Sequence, residues 1–294
     1  MNGQVTSVTL NTGDTIWTLR GQDARFLPVG LGMGKLNLAF SYDLRGNVTS
    51  RSATRAVGDT IQWLTYTYSA GTGNMTSRTD MVKGLEEEFG YDSMNRLTDI
   101  SLTDPYNSQT EQELLYDGKG NILPRTDAGQ FGYNAALPYA LSELSSPAGG
   151  IPMRDQHISY NAMQQPDTII ENGYPATFSY YGDRSRASMM VAGPNGYQFS
   201  GNYYDQRYNY FTKTENNVTT HKTVLWLGGS PYRAPAAMLK DYGSNTWRLV
   251  HVLRDNLGSI THVVDTAGVV LQQMGYTAWG QLLWRRWRRV STTQ

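Results

Sequence analysis

A chain of 294 residues can bury a substantial core, either as one large all-β unit or as two ordinary domains. Charged residues make up 17%, below the roughly 25% of an average globular protein, which excludes an electrostatically disordered chain; 20 Tyr with 30 Gly suit strands punctuated by tight turns. Net charge is zero, but four arginines sit in "WRRWRR" (Trp284 to Arg289), so the rest is mildly acidic and nucleic acid is not expected as a partner. The start, "MNGQVTSVTLNTGDTIW", has no basic region followed by an apolar run, so no secretory signal is read there. There is no cysteine, so stability owes nothing to disulfides and the redox compartment stays open. No apolar run approaches the roughly 18 residues of a membrane span.

From Leu36 to Arg125 the pattern is short strand, turn, short strand. "YDLRGNVTSR" at Tyr42 returns as "YSAGTGNMTSR" at Tyr68, "YDSMNRLTDI" at Tyr91 and "YDGKGNILPR" at Tyr116, at spacings of 26, 23 and 25 residues. Weaker copies begin at Phe131, Ile158 and Phe178. A period of this size means stacked supersecondary units. Each cassette reads as a β-hairpin. Asp43 accepts hydrogen bonds from the turn backbone, Leu44 and Arg45 form a type I turn, and Gly46 takes the left-handed position of a bulge. Asn95 replaces Gly46 in the third copy and Gly120 in the fourth keeps it, while Asp117 repeats Asp43; Asn is the non-Gly residue that best tolerates this geometry. After each turn, "NVTSR", "NMTSR" and "RLTDI" alternate apolar and polar residues, as half-buried strands do.

From about Tyr197 the strands lengthen and repeat less regularly. "DTAG" at Asp265 to Gly268 is a further turn, and no Pro/Ser-rich linker divides the chain. Very little helix is expected; the best candidate is "APAAML" from Ala234, short and interrupted by proline.

These residues resemble the Rhs/YD-repeat family. "YDLRGNVTSRS", "YDSMNRLTDI" and "YDGKGNIL" are similar to its Tyr-Asp repeats, and "LRDNLGSITHVVDTAGVVLQQMGYTAWGQLL" (Leu253 to Leu283) is similar to the start of the core that follows them. The resemblance covers roughly Leu36 to Leu283. It implies a large β-sheet wound into a hollow shell, which in bacterial members encloses a C-terminal toxin and is exported or displayed; its repeats have been proposed to bind carbohydrate. The family core continues into an aspartyl autoproteolytic segment built on DPxG. Here the one Asp-Pro pair, Asp104-Pro105, lies mid-repeat in "TDPYNS", so no catalytic residue is carried over. The chain is read as part of a shell, truncated before those segments.

Other chemistry has bland competitors. His157, His221, His251 and His262 show no metal-ligand spacing. Ser259, His262 and Asp265 are the nearest approach to a nucleophilic set, but residues three apart on a strand do not share a face. "GLGMGKLN" at Gly30 lacks the Gly-Lys-Ser/Thr ending and the helix of a phosphate loop. Glu86, Glu87 and Glu88 read as a charged strand edge that discourages aggregation. In "YYDQRYNYF", Tyr203, Tyr204, Tyr208 and Tyr210, beside Asp205, Gln206 and Arg207, would stack on sugar rings, or else pack across neighbouring strands. "WRRWRR" admits an interfacial or phosphate anchor, an ordinary tail, or out-of-frame sequence after a family-like core; the last is favoured, because resemblance and composition change together there.

The expectation is therefore an all-β fold of stacked hairpins forming a curved sheet. N-terminal strands or a partial repeat occupy residues 1–35, hairpin repeats 36–196, a core-like β region 197–283 and a basic aromatic tail 284–294. The expected role is a non-catalytic, cofactor-free scaffold, secreted or at the cell surface, with other shell segments, a toxin domain or surface glycans as partners. The alternative is a carbohydrate-binding module.

Overall fold

The computed structural model describes residues 5–56, 58–106, 109–126, 128–145, 156–205, 207–280 and 282–287. Its local unit is the hairpin turn. At the first cassette the Asp43 N–H donates to the Asn47 carbonyl (3.0 Å) and the Gly46 N–H to the Asp43 carbonyl (3.1 Å). Asp43 Oδ1 accepts from the N–H groups of Arg45 (2.9 Å) and Asn47 (2.8 Å), and Gly46 has φ 87°. Asp92 and Asp117 accept the same pair of bonds, with Asn95 at φ 60° and Gly120 at φ 89°. The Asn47 side-chain amide, helped by backbone donors, holds the Asp43 carboxyl below its usual range, so it is an anionic acceptor at neutral pH. The same turn recurs where the sequence pattern is fainter. Asp23, Asn161, Asp255 and Asp265 each accept two backbone N–H bonds, with Phe26, Gln164, Gly258 and Gly268 in the left-handed region.

These turns join 25 strands among the described residues. The first nine are β1 (Ser7–Thr9), β2 (Thr15–Gln22), β3 (Pro28–Met33), β4 (Leu36–Tyr42), β5 (Val48–Arg55), β6 (Thr60–Tyr68), β7 (Met75–Asp80), β8 (Leu85–Tyr91) and β9 (Leu97–Thr103). The middle nine are β10 (Gln109–Tyr116), β11 (Ile122–Arg125), β12 (Gly129–Tyr133), β13 (Leu141–Ser145), β14 (Gln156–Tyr160), β15 (Pro166–Glu171), β16 (Tyr174–Tyr180), β17 (Arg186–Ala192) and β18 (Gln198–Tyr204). The last seven are β19 (Tyr208–Glu215), β20 (Val218–Leu227), β21 (Ala236–Asp241), β22 (Thr246–Arg254), β23 (Ile260–Asp265), β24 (Val270–Tyr276) and β25 (Leu282–Trp287). Each strand pairs antiparallel with the next, from the contact of β1 with β2 to that of β24 with β25, making one meander that does not close edge to edge.

The best helix candidate is not helical. "APAAML" enters β21, which is hydrogen-bonded to β20 on one side and β22 on the other. Ala236 and Ala237 are both buried there, so sheet partners and packing override the helix preference of alanine. A single 3₁₀ turn, Pro194–Gly196, is the helical element among the described residues.

Directly paired residues share a face, so the register traces one face along the meander. It runs from Leu38 and Ala53 through Leu64, Arg78, Glu87, Phe89 and Ile100, then Leu114, Phe131, Ile158, Phe178 and Phe211, to Val224 and Val250. In the middle strands this face is the less exposed one: Ala176, Phe178 and Tyr180 are half-buried, while Thr177 and Ser179 are exposed. It is the concave face. At the C-terminal end, however, Leu253 and Val264 lie on the opposite, convex face, and these two pack with Met33, Leu36, Leu38, Ala53 and Ile61. Concave face meeting convex face means that the sheet rolls up as a scroll. Its C-terminal end, β20 to β24, is tucked inside the N-terminal strands. A second cluster joins Ile16 to Ala236 and Leu249, and a third, Val224, Ala237, Val250 and Leu271, lies on the concave side of the tucked end.

Seven tyrosines hold successive hairpins in line. Each phenol donates to the carbonyl of the residue that follows the preceding turn: Tyr42 to Pro28, Tyr68 to Val48, Tyr91 to Met75, Tyr116 to Leu97, Tyr133 to Ile122, Tyr160 to Leu141 and Tyr180 to Pro166, at 2.6–3.1 Å. Two residues before each stands a partner on the same concave face: Phe40, Tyr66, Phe89, Leu114, Phe131, Ile158 and Phe178. Burial pushes the phenols of Tyr42, Tyr68, Tyr91, Tyr116, Tyr133 and Tyr160 above their ordinary value, so they remain donors across the physiological range.

Candidate functional site

The densest set of buried polar groups lies where the tucked end meets the N-terminal strands. Its centre is the hairpin turn Arg254 to Ser259 between β22 and β23. Arg254 is 8% exposed, and its guanidinium donates to four carbonyl contacts: Gly258 (2.7 Å), Pro231 (2.6 Å) and Ala234 twice (3.2 and 3.3 Å). One side chain thus joins its own turn to the loop before β21, with the Trp226 ring 5.8 Å away. A bent backbone needs donors for carbonyls that no strand can satisfy, and the planar five-donor fork of Arg supplies them.

The N-terminal strands reach into this turn with residues from equivalent repeat positions. Arg51, which ends "NVTSR", donates to the Asp255 carbonyl (2.6 Å) and lies over Phe40. Arg78, which ends "NMTSR", donates to the Tyr276 carbonyl (2.8 Å), lies over Phe89 and pairs with Glu87. Gln62 donates to the Arg254 carbonyl (3.1 Å) and to Thr261 Oγ1 (2.6 Å), and the Tyr66 hydroxyl accepts from the Asn256 N–H (3.2 Å). Burial lowers the pKa of Arg51 and raises those of Tyr66 and Asp80. Between these groups is a cavity of about 70 Å³ lined by Tyr66, Arg78, Asp80, Glu87, Asp255 and Thr261. That is room for water and not for a metabolite. Its carboxylates are already engaged: Glu87 by Arg78, Asp80 by the N–H groups of Val82 and Lys83, and Asp255 by those of Leu257 and Ser259. The arrangement fastens two layers.

The four tyrosines of the Tyr-rich segment do not form one surface. Tyr203 is on the concave face, edge-on to Phe211 at 5.8 Å. Tyr204, Tyr208 and Tyr210 are on the convex face, with Tyr204 and Tyr208 directly paired and their rings 5.8 Å apart. Tyr210 stacks on His221 and donates to or accepts from its Nδ1 at 2.8 Å; His221 in turn contacts Tyr242. Asp205 and Arg207 form an exposed ion pair, and Gln206 lies outside the described residues.

The remaining candidates are dispersed. His262 is on the convex face and Asp265 on the concave one, while Ser259 closes the turn through its backbone, so the three do not assemble. Glu86 and Glu88 are exposed, but Glu87 faces inward, which corrects the reading of all three as a charged edge: strand alternation sends the middle carboxylate to the buried side, where Arg78 meets it. The glycines of "GLGMGKLN" belong to β3 and the turn into β4, where Gly34 (φ 54°) lies against His251. Asp104-Pro105 forms a turn in which Asp104 accepts from the Tyr106 N–H. No group of three or more metal-ligating side chains occurs among the described residues, and none of their helices is long and apolar enough to cross a membrane. Of "WRRWRR", Trp284 to Trp287 are the backbone of β25, and Arg288 and Arg289 lie outside the described residues.

Sequence reasoning missed Arg51, Gln62, Tyr66, Arg78 and Arg254 as a set. A signal was present for two of them, since Arg51 and Arg78 end matching cassettes; what they would touch, some 200 residues away, had no local trace. No family model matches this chain, and no curated protein matches it.

Proposed function

We propose that the chain is a non-catalytic scaffold, a portion of an Rhs/YD-type hollow β-shell in a bacterial polymorphic-toxin or cell-surface system. The observation that carries this reading is the scroll: a repetitive meander with a continuous half-apolar concave face and buried polar groups spent on fastening one layer to another. Such a wall would serve to enclose. The partners would be further shell segments and an enclosed toxin domain, at the cell surface or outside the cell.

Because the chain has no cysteine, single cysteines report on the two faces cleanly. Met189→Cys is concave and Ser188→Cys convex. When a toxin-domain polypeptide is co-expressed as the enclosed partner, maleimide labelling is expected to fall at position 189 and persist at 188. Equal labelling of both with and without that polypeptide would remove the shell reading. An unchanged 32.8 kDa mass after prolonged incubation is the expected outcome for a protein without autoproteolysis.

The convex aromatics favour a second reading, a carbohydrate-binding surface. Tyr204 and Tyr208, with the Tyr210, His221 and Tyr242 stack, present ring faces beside Lys240, whose ammonium lies 5.3 Å from the Tyr242 ring centre. Glycan-array binding lost in Tyr208→Ala and kept in the concave-side variant Tyr203→Ala would support it; silence of the unaltered protein across the array would not.

A further inference from the structure

We propose that the overlap of the two ends is an acid-released clasp, in which His251 and His262 hold the tucked end in place while neutral and free it when protonated. This deepens the scaffold reading and depends on it only for the purpose of the opening. The two histidines lie on the convex face of adjacent strands. His251 pairs with Val264 and His262 with Leu253, so each ring adjoins the apolar residues that join the layers. They are 1% and 3% exposed. Contact with the opposing layer is close: a Cβ on Gly34 would lie 2.7 Å from His251 Cε1. His251 Nε2 is 3.4 Å from the Thr15 carbonyl and His262 Nδ1 is 3.1 Å from Thr261 Oγ1. His251 Nδ1 and His262 Nε2 meet no partner at good hydrogen-bond geometry among the described residues, although the Asp265 and Ile61 backbones lie close to the two rings.

Protonation puts a charge and an added N–H donor into each of these sites. The charged groups facing them differ. Asp14 and Asp265 face His251, with the Thr15 and Asp265 backbone, and soften the cost there. Lys83, from the turn between β7 and β8, faces His262 and adds repulsion, while the Ile61 backbone favours its charged form. Burial is the largest influence on both and lowers both pKa values, that of His262 from 6.5 to about 4. The neutral ring is favoured when the clasp is closed, and the exposed ring takes its proton near 6.5. The clasp is therefore intact above about pH 6.5 and weakens progressively as pH falls to about 4, where the effect levels off. His262 alone shifts the opening equilibrium by about 300-fold across that window.

The test places spin labels on Asn37→Cys, on the outer side of β4, and Gln272→Cys, on the concave side of β24, so that the pair brackets the overlap. Their distance distribution is measured at pH 7.5 and 4.5, with circular dichroism confirming retained strand. One short distance at pH 7.5 and an added longer population at pH 4.5 are expected. A His251→Asn, His262→Gln chain should keep the short distance at both. An unchanged distance in the parent at pH 4.5 overturns the clasp, and so does equal opening in the double variant. If that variant fails to fold, the ring resonances of the parent decide: protonation coincident with opening supports the proposal, and protonation without a change in distance overturns it. Failure of the face-labelling test would remove the shell and leave this result standing.

Discussion

The same hairpin cassette lives in two environments in this molecule. In β4 to β8 its concave face is covered by the tucked end, and Leu36, Leu38 and Ala53 are buried in a core shared with Leu253 and Val264. In β14 to β18 that face carries Ile158, Ile169, Phe178, Met189 and Val191, all only half-buried, and none of them belongs to a core cluster. What both share is the turn carboxylate or amide, the left-handed residue after it, and the tyrosine bond to the preceding hairpin. The comparison separates two levels of stabilisation. Local hydrogen bonds suffice to shape and align each hairpin, while clustered apolar burial and charged-group bonds across layers are concentrated in the overlap.

The comparison is broken most severely at Arg254. Arg254→Ala leaves the Pro231, Ala234 and Gly258 carbonyls without their donor and is expected to cost ~4 kcal/mol, read as a lower denaturant midpoint. The loss should fall on the overlap and leave amide protection in β14 to β18 nearly unchanged. Leu253→Ala opens a cavity in the shared core and is expected to cost about 3 kcal/mol in the same transition. Phe178→Ala, on the uncovered stretch, should cost clearly less than either, because the ring is only half-buried to begin with. A cost at Phe178 equal to that at Leu253 would mean that the concave face is covered along its whole length.

Smaller changes sharpen the distinction. Tyr68→Phe and Tyr160→Phe each delete one hydroxyl bond, worth ~1 kcal/mol. Hydrogen exchange should show the second as local loosening between Leu141 and Pro166. The first should appear as a lower midpoint of the cooperative transition, since its hairpin opens only with the overlap. Changes at the left-handed turn position are of that size or smaller. Gly46→Ala is expected to destabilise by about 1 kcal/mol at φ 87°, and Asn95→Gly to be neutral or slightly stabilising at φ 60°, both by thermal melting.

The turns were the most legible part of the chain, because everything they need lies within five residues. Asp43, Gly46, Asn95, Asp117 and Gly120 could be placed in a hairpin before any contact was known. The turn at Asp23 escaped because Phe26, not Gly or Asn, takes the left-handed position, and the copy at Asn161 was legible only as a weak one because Gln164 does the same. The grouping of Tyr203 with Tyr204, Tyr208 and Tyr210 ignored strand alternation across the turn at Asp205, which sends Tyr203 to the other face. The helix candidate at "APAAML" gave way to two strand partners that no local propensity encodes.

The sequence by itself determined the meander: alternation, turn residues and a repeat of about 25 residues admit little else, since each of these forces acts between neighbours in the chain. Only the tertiary structure decided which way the sheet rolls, which carboxylate of Glu86 to Glu88 is buried, and that Arg51 and Arg78 grip the backbone at Asp255 and Tyr276. Those outcomes depend on curvature summed over many strands. A small twist at each hairpin, invisible in any one cassette, brings residues some 200 positions apart within hydrogen-bonding distance.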